Sequence, residues 1–362
     1  MGVNAVTNLV ADEWDGTLKK QGDYTAVRKR IYELISVAEG AVFNTQGFAF
    51  QDSIATVRDG GIVVEKLKPE HKVSKCADYA PVEGDTPCWD AFLTRSFRGV
   101  AGQIPLLQEL FGLTMVGEMH RIQQCVMLHG PGATGKSVVL NVLTSLFPPE
   151  LTCAVPPADW SKEYSRAEMT GKKLNVAGEL SSIRSIQADI FKAVVAGDKI
   201  SARRIYESTF SLAICAAHWF SANELPSTED HTSGWYRRFV VLQMPNSVPT
   251  AERNTRLLNA LEKEKAGIAA WALEGAARYF LMGSLTTPVS ESGSVTPVGV
   301  AVLDEWRAER DTVAAWKAEF PDRAAGNEIT HDTYKHYRTW CFDSSGGQPC
   351  NLPRFKNRLK SL

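Results

Sequence analysis

The stretch that decides the fold is Cys125-Val-Met-Leu-His129, then Gly130-Pro131-Gly132-Ala133-Thr134-Gly135-Lys136-Ser137, then Val138-Val-Leu-Asn-Val-Leu-Thr-Ser-Leu-Phe147. Its middle has the form G-x-x-x-x-G-K-S, a loop suited to phosphate. The apolar run ahead of it fits a buried parallel strand. Behind it, Val138, Val139, Val142, Leu143 and Leu146 share one broad helical face, and Pro148-Pro149 ends the helix. Strand, glycine loop and helix therefore follow in the order that phosphate binding needs. Glycines at 130, 132 and 135 let the backbone curl so that its N–H groups face an anion. The helix N-terminus adds partial positive charge. In this pattern Lys136 reaches the β- and γ-phosphates of a nucleotide, and Ser137 holds Mg²⁺.

A chain of 362 residues that is 44% hydrophobic can bury a large core in two or three domains. A formal net charge of -1 argues against a protein that coats polyanions along its whole surface, while leaving room for a local basic patch. The seven cysteines are scattered without a C-x-x-C pair, which argues against zinc and for reduced thiols in the cytoplasm. The opening Met-Gly-Val-Asn-Ala-Val carries no secretory or myristoylation pattern, and no apolar run approaches membrane-spanning length.

The periodicity predicts three regions. Residues 1–120 form a mainly helical collar. It has an amphipathic helix around Tyr24 to Ala38, short strands at Gly47-Phe-Ala-Phe and Ser53-Ile-Ala-Thr-Val, and a turn at Asp59-Gly60-Gly61. Trp89 to Phe97 and Gln103 to Leu113 read as helices. Residues 121–283 alternate strands and helices as an α/β nucleotide-binding core and end in a helical lid. Ser284 to Gly299 is rich in Ser, Thr, Pro and Gly and reads as a linker. Residues 300–362 have the pattern of a small helical domain.

Further candidates lie within the core. Leu174-Asn-Val-Ala-Gly-Glu179 reads as a strand ending in an acid, and Glu179 is placed to polarise an attacking water and help hold Mg²⁺. Asn223 ends the next apolar run and either orients that water or is an ordinary turn residue. Arg237-Arg238 precede another strand; they include an arginine finger or form a surface ion pair. The stretch from Phe191 to Glu207 reads as helix, tight turn and β-hairpin. Its hairpin carries Lys199, Arg203 and Arg204 toward phosphates, with Tyr206 near for stacking, or it is a solvated basic edge.

In order and spacing these pieces resemble the superfamily 3 helicases of the phage/plasmid and poxvirus-type primase-helicase family. The resemblance takes in the phosphate loop, the Glu179 strand, the Lys192 to Glu207 block, Asn223-Glu-Leu-Pro226 and Tyr236-Arg237-Arg238. It extends to Thr86-Pro-Cys88-Trp89, to Gly267-Ile-Ala-Ala-Trp271, and to Tyr334-Lys-His-Tyr337 with Arg354-Phe355, and so covers the chain from about residue 45 onward.

The resemblance implies an AAA+ core with a winged-helix-like C-terminal domain. It implies a ring, commonly a hexamer, that uses ATP and Mg²⁺ to translocate on single-stranded DNA and unwind forked DNA in phage, plasmid or viral replication. Under it Gly130 to Ser137 bind ATP, Ser137 and Glu179 hold the metal, and Asn223 is the sensor. Arg237 or Arg238 acts across a subunit boundary. Lys192, Lys199, Arg203 and Arg204 face the DNA channel, where several modest basic hairpins concentrate the field of a neutral chain. The pattern departs from the family at Thr134, Val138 and Ser181-Ser182. No primase domain is visible, so the chain reads either as the helicase part of a larger primase-helicase or as a stand-alone helicase, with a primase or another replication protein among its expected partners. The sequence ends just after the expected recognition helix. Two other readings share the loop: an AAA+ ATPase that remodels or loads a protein, and a nucleotide-gated replication initiator without unwinding activity.

Overall fold

A computed structural model describes residues 47–361 apart from 181–185, 224–231, 291–297, 325–329 and 344–348. The chain divides into two units, Met1–Thr45 and Gln46–Leu362, and all described residues belong to the second. The expected helix at Tyr24 to Ala38, Ser181-Ser182, and the Glu224 to Pro226 turn lie outside them.

Three antiparallel strands come first: β1 (Phe48–Ala49), β2 (Ser53–Arg58) and β3 (Gly61–Lys66). Asp59 and Gly60 both have positive φ, 50° and 75°, and join Arg58 to its partner Gly61. That geometry gives a two-residue hairpin the twist its strands need. Helix α1 (Pro87–Ser96), strand β4 (Val100–Ala101) and helix α2 (Gln103–Val116) follow.

The central sheet is wholly parallel. Its members are β5 (Cys125–His129), β6 (Thr152–Cys153) and β7 (Leu174–Glu179), then, after the hairpin β8 (Lys199–Ala202) and β9 (Phe210–Ala213), β10 (Ala217–Ala222) and β11 (Phe239–Gln243). The spatial order is β11-β5-β10-β7-β6. Helices α3 (Lys136–Ser145), α4 (Glu163–Glu168), α5 (Ala188–Ala196) and α6 (Ser233–Tyr236) lie between these strands in the chain. β5 is buried from Cys125 to Leu128 and β10 along its whole length, which is why both are mainly apolar, with His218 and Ser221 the polar residues of β10. Because every strand points the same way, the loops after β5, β7 and β10 emerge along one edge. β10 sits between β5 and β7, with Ala222 beside His129 and Ser221 beside Glu179.

Packing does not pause near residue 120. Phe48, Trp89, Phe111, Leu128, Leu143, Trp219 and Ala272 belong to one cluster on one side of the sheet. Helix α2 packs on the long helix α8 (Lys265–Met282), which follows α7 (Leu257–Lys263). Two glycines set that approach: a Cβ on Gly112 would fall 2.1 Å from the Ala272 carbonyl oxygen, and one on Gly275 would fall 2.3 Å from the Gln108 backbone. On the other side, Trp160, Phe191, Trp235, Phe239 and Trp306 form a second cluster.

The stretch expected to be a linker is docked at its start. Buried Glu109 accepts hydrogen bonds from the Thr286 N–H (2.7 Å) and hydroxyl (2.6 Å), and Arg278 pairs with it at 2.8 Å. Strand β12 (Val289–Ser290) then pairs with β4. Linker-like composition is silent about a buried carboxylate that needs donors.

Helix α9 (Val298–Arg310) returns to the sheet and packs Val302 and Trp306 into the second cluster. Helices α10 (Thr312–Glu319), α11 (Pro321–Ala324), α12 (His331–Asp343) and α13 (Leu352–Ser361) follow, and a third cluster around Trp316, Tyr337 and Phe355 joins α10, α12 and α13. The described residues from 298 to 361 contain helices and no strand. No described helix is long and apolar enough to cross a membrane.

Candidate functional site

The loop after β5 has its carbonyls turned inward. His129 O accepts from Met244 N at 2.7 Å, and Ala133 O accepts from Val248 N at 2.9 Å. Gly132 O takes the Ser247 hydroxyl at 2.8 Å. Pro131 O takes the Thr134 hydroxyl at 3.2 Å, and the Lys136 ammonium donates to both Gly130 O (2.6 Å) and Pro131 O (2.7 Å). The amides of Gly132 to Ser137 have no acceptor among the described residues. A loop with its acceptors engaged and its donors free is a nest for an anion, and it opens α3 at the positive end of the helix dipole. Gly135 has φ of 97°, and a Cβ there would meet the Phe92 ring at 2.7 Å.

Across the cleft stand the tips of β10 and β7. The Lys136 ammonium also donates to Asn223 Oδ1 at 2.6 Å, and the Asn223 amide N–H donates to Glu179 Oε1. Lys136 is only 8% exposed, and burial lowers its pKa from the usual lysine value while the Glu179 carboxylate opposes that drop. The cleft has a volume of about 570 Å³ and is lined by Thr134, Lys136, Ser137, Asn141, Glu179 and Asn223, among others. That is within the range of small-molecule sites.

The donor set also suits one kind of metal. Ser137 and Glu179 are both at the surface of the cleft, and no group of three or more His, Cys, Asp or Glu residues gathers among the described residues. One hydroxyl and one carboxylate fit Mg²⁺, which keeps several waters and takes its remaining ligands from phosphate oxygens.

Arg237 and Arg238 lie away from this cleft. In the register of β11 with β5, Phe239 faces Cys125 and Gln243 faces His129, so the arginines sit at the opposite edge of the sheet, about 16 Å along the strands. Arg238 donates to Gln123 O at 3.1 Å and Gln123 Oε1 at 2.9 Å. Burial and the adjacent Arg237 charge lower its pKa. Arg237 is exposed, and its side chain makes no hydrogen bond or ion pair among the described residues.

The hairpin starts near that same edge, where the Asp198 carboxylate is close enough to Arg238 to oppose its pKa drop. Gly197, with φ of 74°, caps α5 and turns the chain into β8. A nearly buried Arg166 braces the first strand, donating to Ser201 O (2.6 Å), Trp160 O (2.7 Å) and Ser161 O (3.0 Å). The four basic residues are placed unequally. Lys199 is exposed, and Lys192 pairs with Asp189 at 3.4 Å. Arg203 lies over the Tyr164 ring at 5.0 Å and bonds its hydroxyl, while Arg204 lies 3.5 Å from Glu207 and 5.4 Å from the Phe210 ring centre. Ile205 (68% exposed) and the fully exposed Tyr206, whose φ is 63°, form the tip.

Residues 128–238 match the family of unknown function DUF5906. The matched span holds every candidate site residue, from Gly130 to Arg238. Among solved structures the chain is similar to the A form apo structure of the NrS-1 C-terminal region, with a TM-score of 0.49 and 13% identity over 92% of this chain and 84% of that one. It is also similar to the apo structure of the NrS-1 C-terminal region (305–718), with a TM-score of 0.47 and 13% identity over the same shares.

The segment after β11 is a part of the site that sequence motifs missed. Met244, Ser247 and Val248 hold the loop at 130–137, and Asn246 ties them to the end of α1 by donating to Ser96 O (3.2 Å) and Arg98 O (3.0 Å). The stretch Pro245-Asn-Ser-Val-Pro249 reads as an ordinary turn, and only the neighbourhood of β11 and β5 gives it a role.

Proposed function

We propose that this chain is a Mg²⁺- and ATP-dependent DNA helicase of the superfamily 3 type, with an AAA+ core. It acts as a ring, commonly hexameric, on single-stranded or forked DNA in phage, plasmid or viral replication. The observation that carries the reading is the polarity of the loop at 130–137, with its carbonyls engaged inward and its amides unengaged. Catalysis of phosphoryl transfer is mostly positioning and charge stabilisation, and such a loop supplies both.

In this reading the triphosphate lies on the amides of Gly132 to Ser137, and Lys136 meets the β- and γ-phosphates. Ser137 and Glu179 hold Mg²⁺, which when bound offsets charge on the phosphate oxygens. Glu179 takes the proton of the attacking water, and Asn223 orients that water. Arg237 is the finger. It is exposed and remote from its own cleft, so it acts on the cleft of a neighbouring copy. The hairpin β8–β9 meets DNA.

One observation favours a second reading, an AAA+ ATPase that remodels a protein partner. The outermost residues of the hairpin are Ile205 and Tyr206, and the two arginines beside them already have partners. An apolar tip suits a polypeptide as well as a base.

Unwinding of a forked duplex with ATP and Mg²⁺ tests the proposal, with Lys136→Ala as the control. The helicase reading expects unwinding that Lys136→Ala abolishes. Hydrolysis that depends on Lys136 without any unwinding, and without stimulation by single-stranded DNA, would overturn the helicase reading and favour the remodeller. Equal hydrolysis by both chains would overturn the site itself.

A further inference from the structure

Ser221 brings a buried hydroxyl to the cleft. The residue is 5% exposed and lines the cleft with Ser137 and Glu179. Its backbone oxygen accepts from the Leu180 N–H at 2.8 Å, while its side chain has no hydrogen-bond partner among the described residues. Burying a hydroxyl without a partner costs stability, and an apolar side chain would suit the interior of β10 better. A hydroxyl kept in such a place calls for a partner that the cleft itself receives.

The strand register aims Glu179 at the same place. β10 and β7 pair residue for residue from Ala217 with Leu174 to Phe220 with Ala177, and then Ser221 pairs with Glu179. Gly178 is therefore an extra residue in β7. Side chains alternate faces along a strand. Leu174 and Val176 face the first cluster, on the side of α3, and Ala177 faces the second. Without the extra residue, position 178 would face α3 and Glu179 would point to the far side with Ala177. The bulge reverses this, as bulges beside functional sites do. It sets Glu179 on the face of Ser221, its register partner, and of Asn223, which bonds it. A Cβ on Gly178 would meet nothing within 4 Å, so position 178 has room for a side chain and brings none to the cleft.

We propose that Ser221 is a further residue of the metal site, its hydroxyl holding a water of the Mg²⁺ shell whose protein ligands are Ser137 and Glu179. The proposal rests on the nucleotide reading of the cleft and deepens it. Two protein oxygens leave the rest of an octahedral shell to phosphate and water. Groups that hydrogen-bond a metal's ligands orient them and tune its affinity. A serine hydroxyl can accept from such a water or donate onward to a carboxylate. Its depth fits the task. Ser221 lies beside Leu128, short of the strand tip where Asn223 stands, and α3, which begins with Lys136 and Ser137, packs on β10.

The test separates metal-dependent from metal-independent binding. The full chain is titrated by calorimetry with an ATP analogue whose β- and γ-phosphates are bridged by nitrogen, once with Mg²⁺ and once with EDTA. Ser221→Ala should bind the analogue about tenfold more weakly with Mg²⁺, the lower end of what an outer partner of a metal contributes. With EDTA it should bind as the unaltered chain does. It should also melt no lower than the unaltered chain, since no hydrogen bond within the protein is lost. A Ser221→Ala chain that binds equally well with Mg²⁺, that is weakened to the same extent with EDTA, or that melts lower overturns the role of Ser221 alone. An unaltered chain that binds the analogue no better with Mg²⁺ than with EDTA, or no better than Lys136→Ala does, overturns the reading of the site and the role of Ser221 with it.

Discussion

Gly130 lies against the Met244 carbonyl so closely that a Cβ at residue 130 would fall 2.1 Å from that oxygen. The oxygen is backbone, a Cβ is fixed rigidly to its own backbone, and φ at Gly130 is 152°, so neither side can yield cheaply. Met244 is also the residue whose N–H holds His129 O. The first glycine of the loop therefore meets a packing demand before any ligand is present. Gly130→Ala should push the loop off the segment after β11, lower the melting temperature by several degrees, and reduce ATP hydrolysis to background. A variant with unaltered melting and hydrolysis would show that the close contact is not maintained.

Glu179 is surface-exposed at the tip of β7, with one carboxylate oxygen engaged by Asn223. Glu179→Gln keeps the size and loses the base. ATP binding should persist while hydrolysis falls by about 10² or more, the scale of a general base. Binding and single-turnover hydrolysis measured on the same preparation separate the two effects. Hydrolysis at the unaltered rate would remove Glu179 from the mechanism.

Arg237 and Arg238 are adjacent in sequence and differ in surroundings. Arg238→Ala removes the clamp on Gln123 and should lower the melting temperature. Arg237→Ala should leave melting unchanged and reduce hydrolysis by about 10³, the lower end of what an arginine finger contributes. Mixing Arg237→Ala chains with Lys136→Ala chains should recover part of the activity, since each supplies what the other lacks across a shared boundary. Mixed chains with no more activity than either alone would count against action between copies.

His218 sits on β10 with its Nδ1 facing the Asn175 amide N–H at 3.2 Å, and burial pushes its pKa down to about 3. In the unfolded chain a histidine titrates at about 6.5. The unfolded state therefore binds this proton more readily, and folding stability from this residue is complete above pH ~6.5 and is lost as pH falls toward 3. His218→Gln keeps an acceptor for Asn175 and has no titration. Its melting temperature should change less than that of the unaltered chain between pH 6.5 and 4. Identical slopes for the two chains would exclude His218 as the source.

Much of the local structure was legible. The Asp59-Gly60 hairpin, α1, α2 and the strand and helix around the loop at 130–137 follow from turn residues and apolar spacing, which act over a few neighbouring residues. The hairpin after α5 was legible too, since Gly197 supplies the left-handed cap that helix termination needs. Its chemistry was less so. The sequence points to Arg203 and Arg204, whereas folding gives them Tyr164 and Phe210 as neighbours and leaves Ile205 and Tyr206 outermost. Linker-like composition after Ser284 likewise concealed the docking of Thr286 on Glu109, whose partners are far away along the chain.

By itself, then, the sequence determined the loop at 130–137, the strand and helix on either side of it, and an acid, an amide and two arginines as residues to watch. Those are properties of short windows, where backbone geometry and apolar period are written directly. Only the tertiary structure decided which of them meet. Inserting β10 between β5 and β7 brings Asn223 to Lys136 and Glu179, residues 87 and 44 positions away. The parallel register of β11 with β5 sends Arg237 and Arg238 to the far edge. Strand order is set by which apolar faces bury best together, a sum over the whole core that no single window contains.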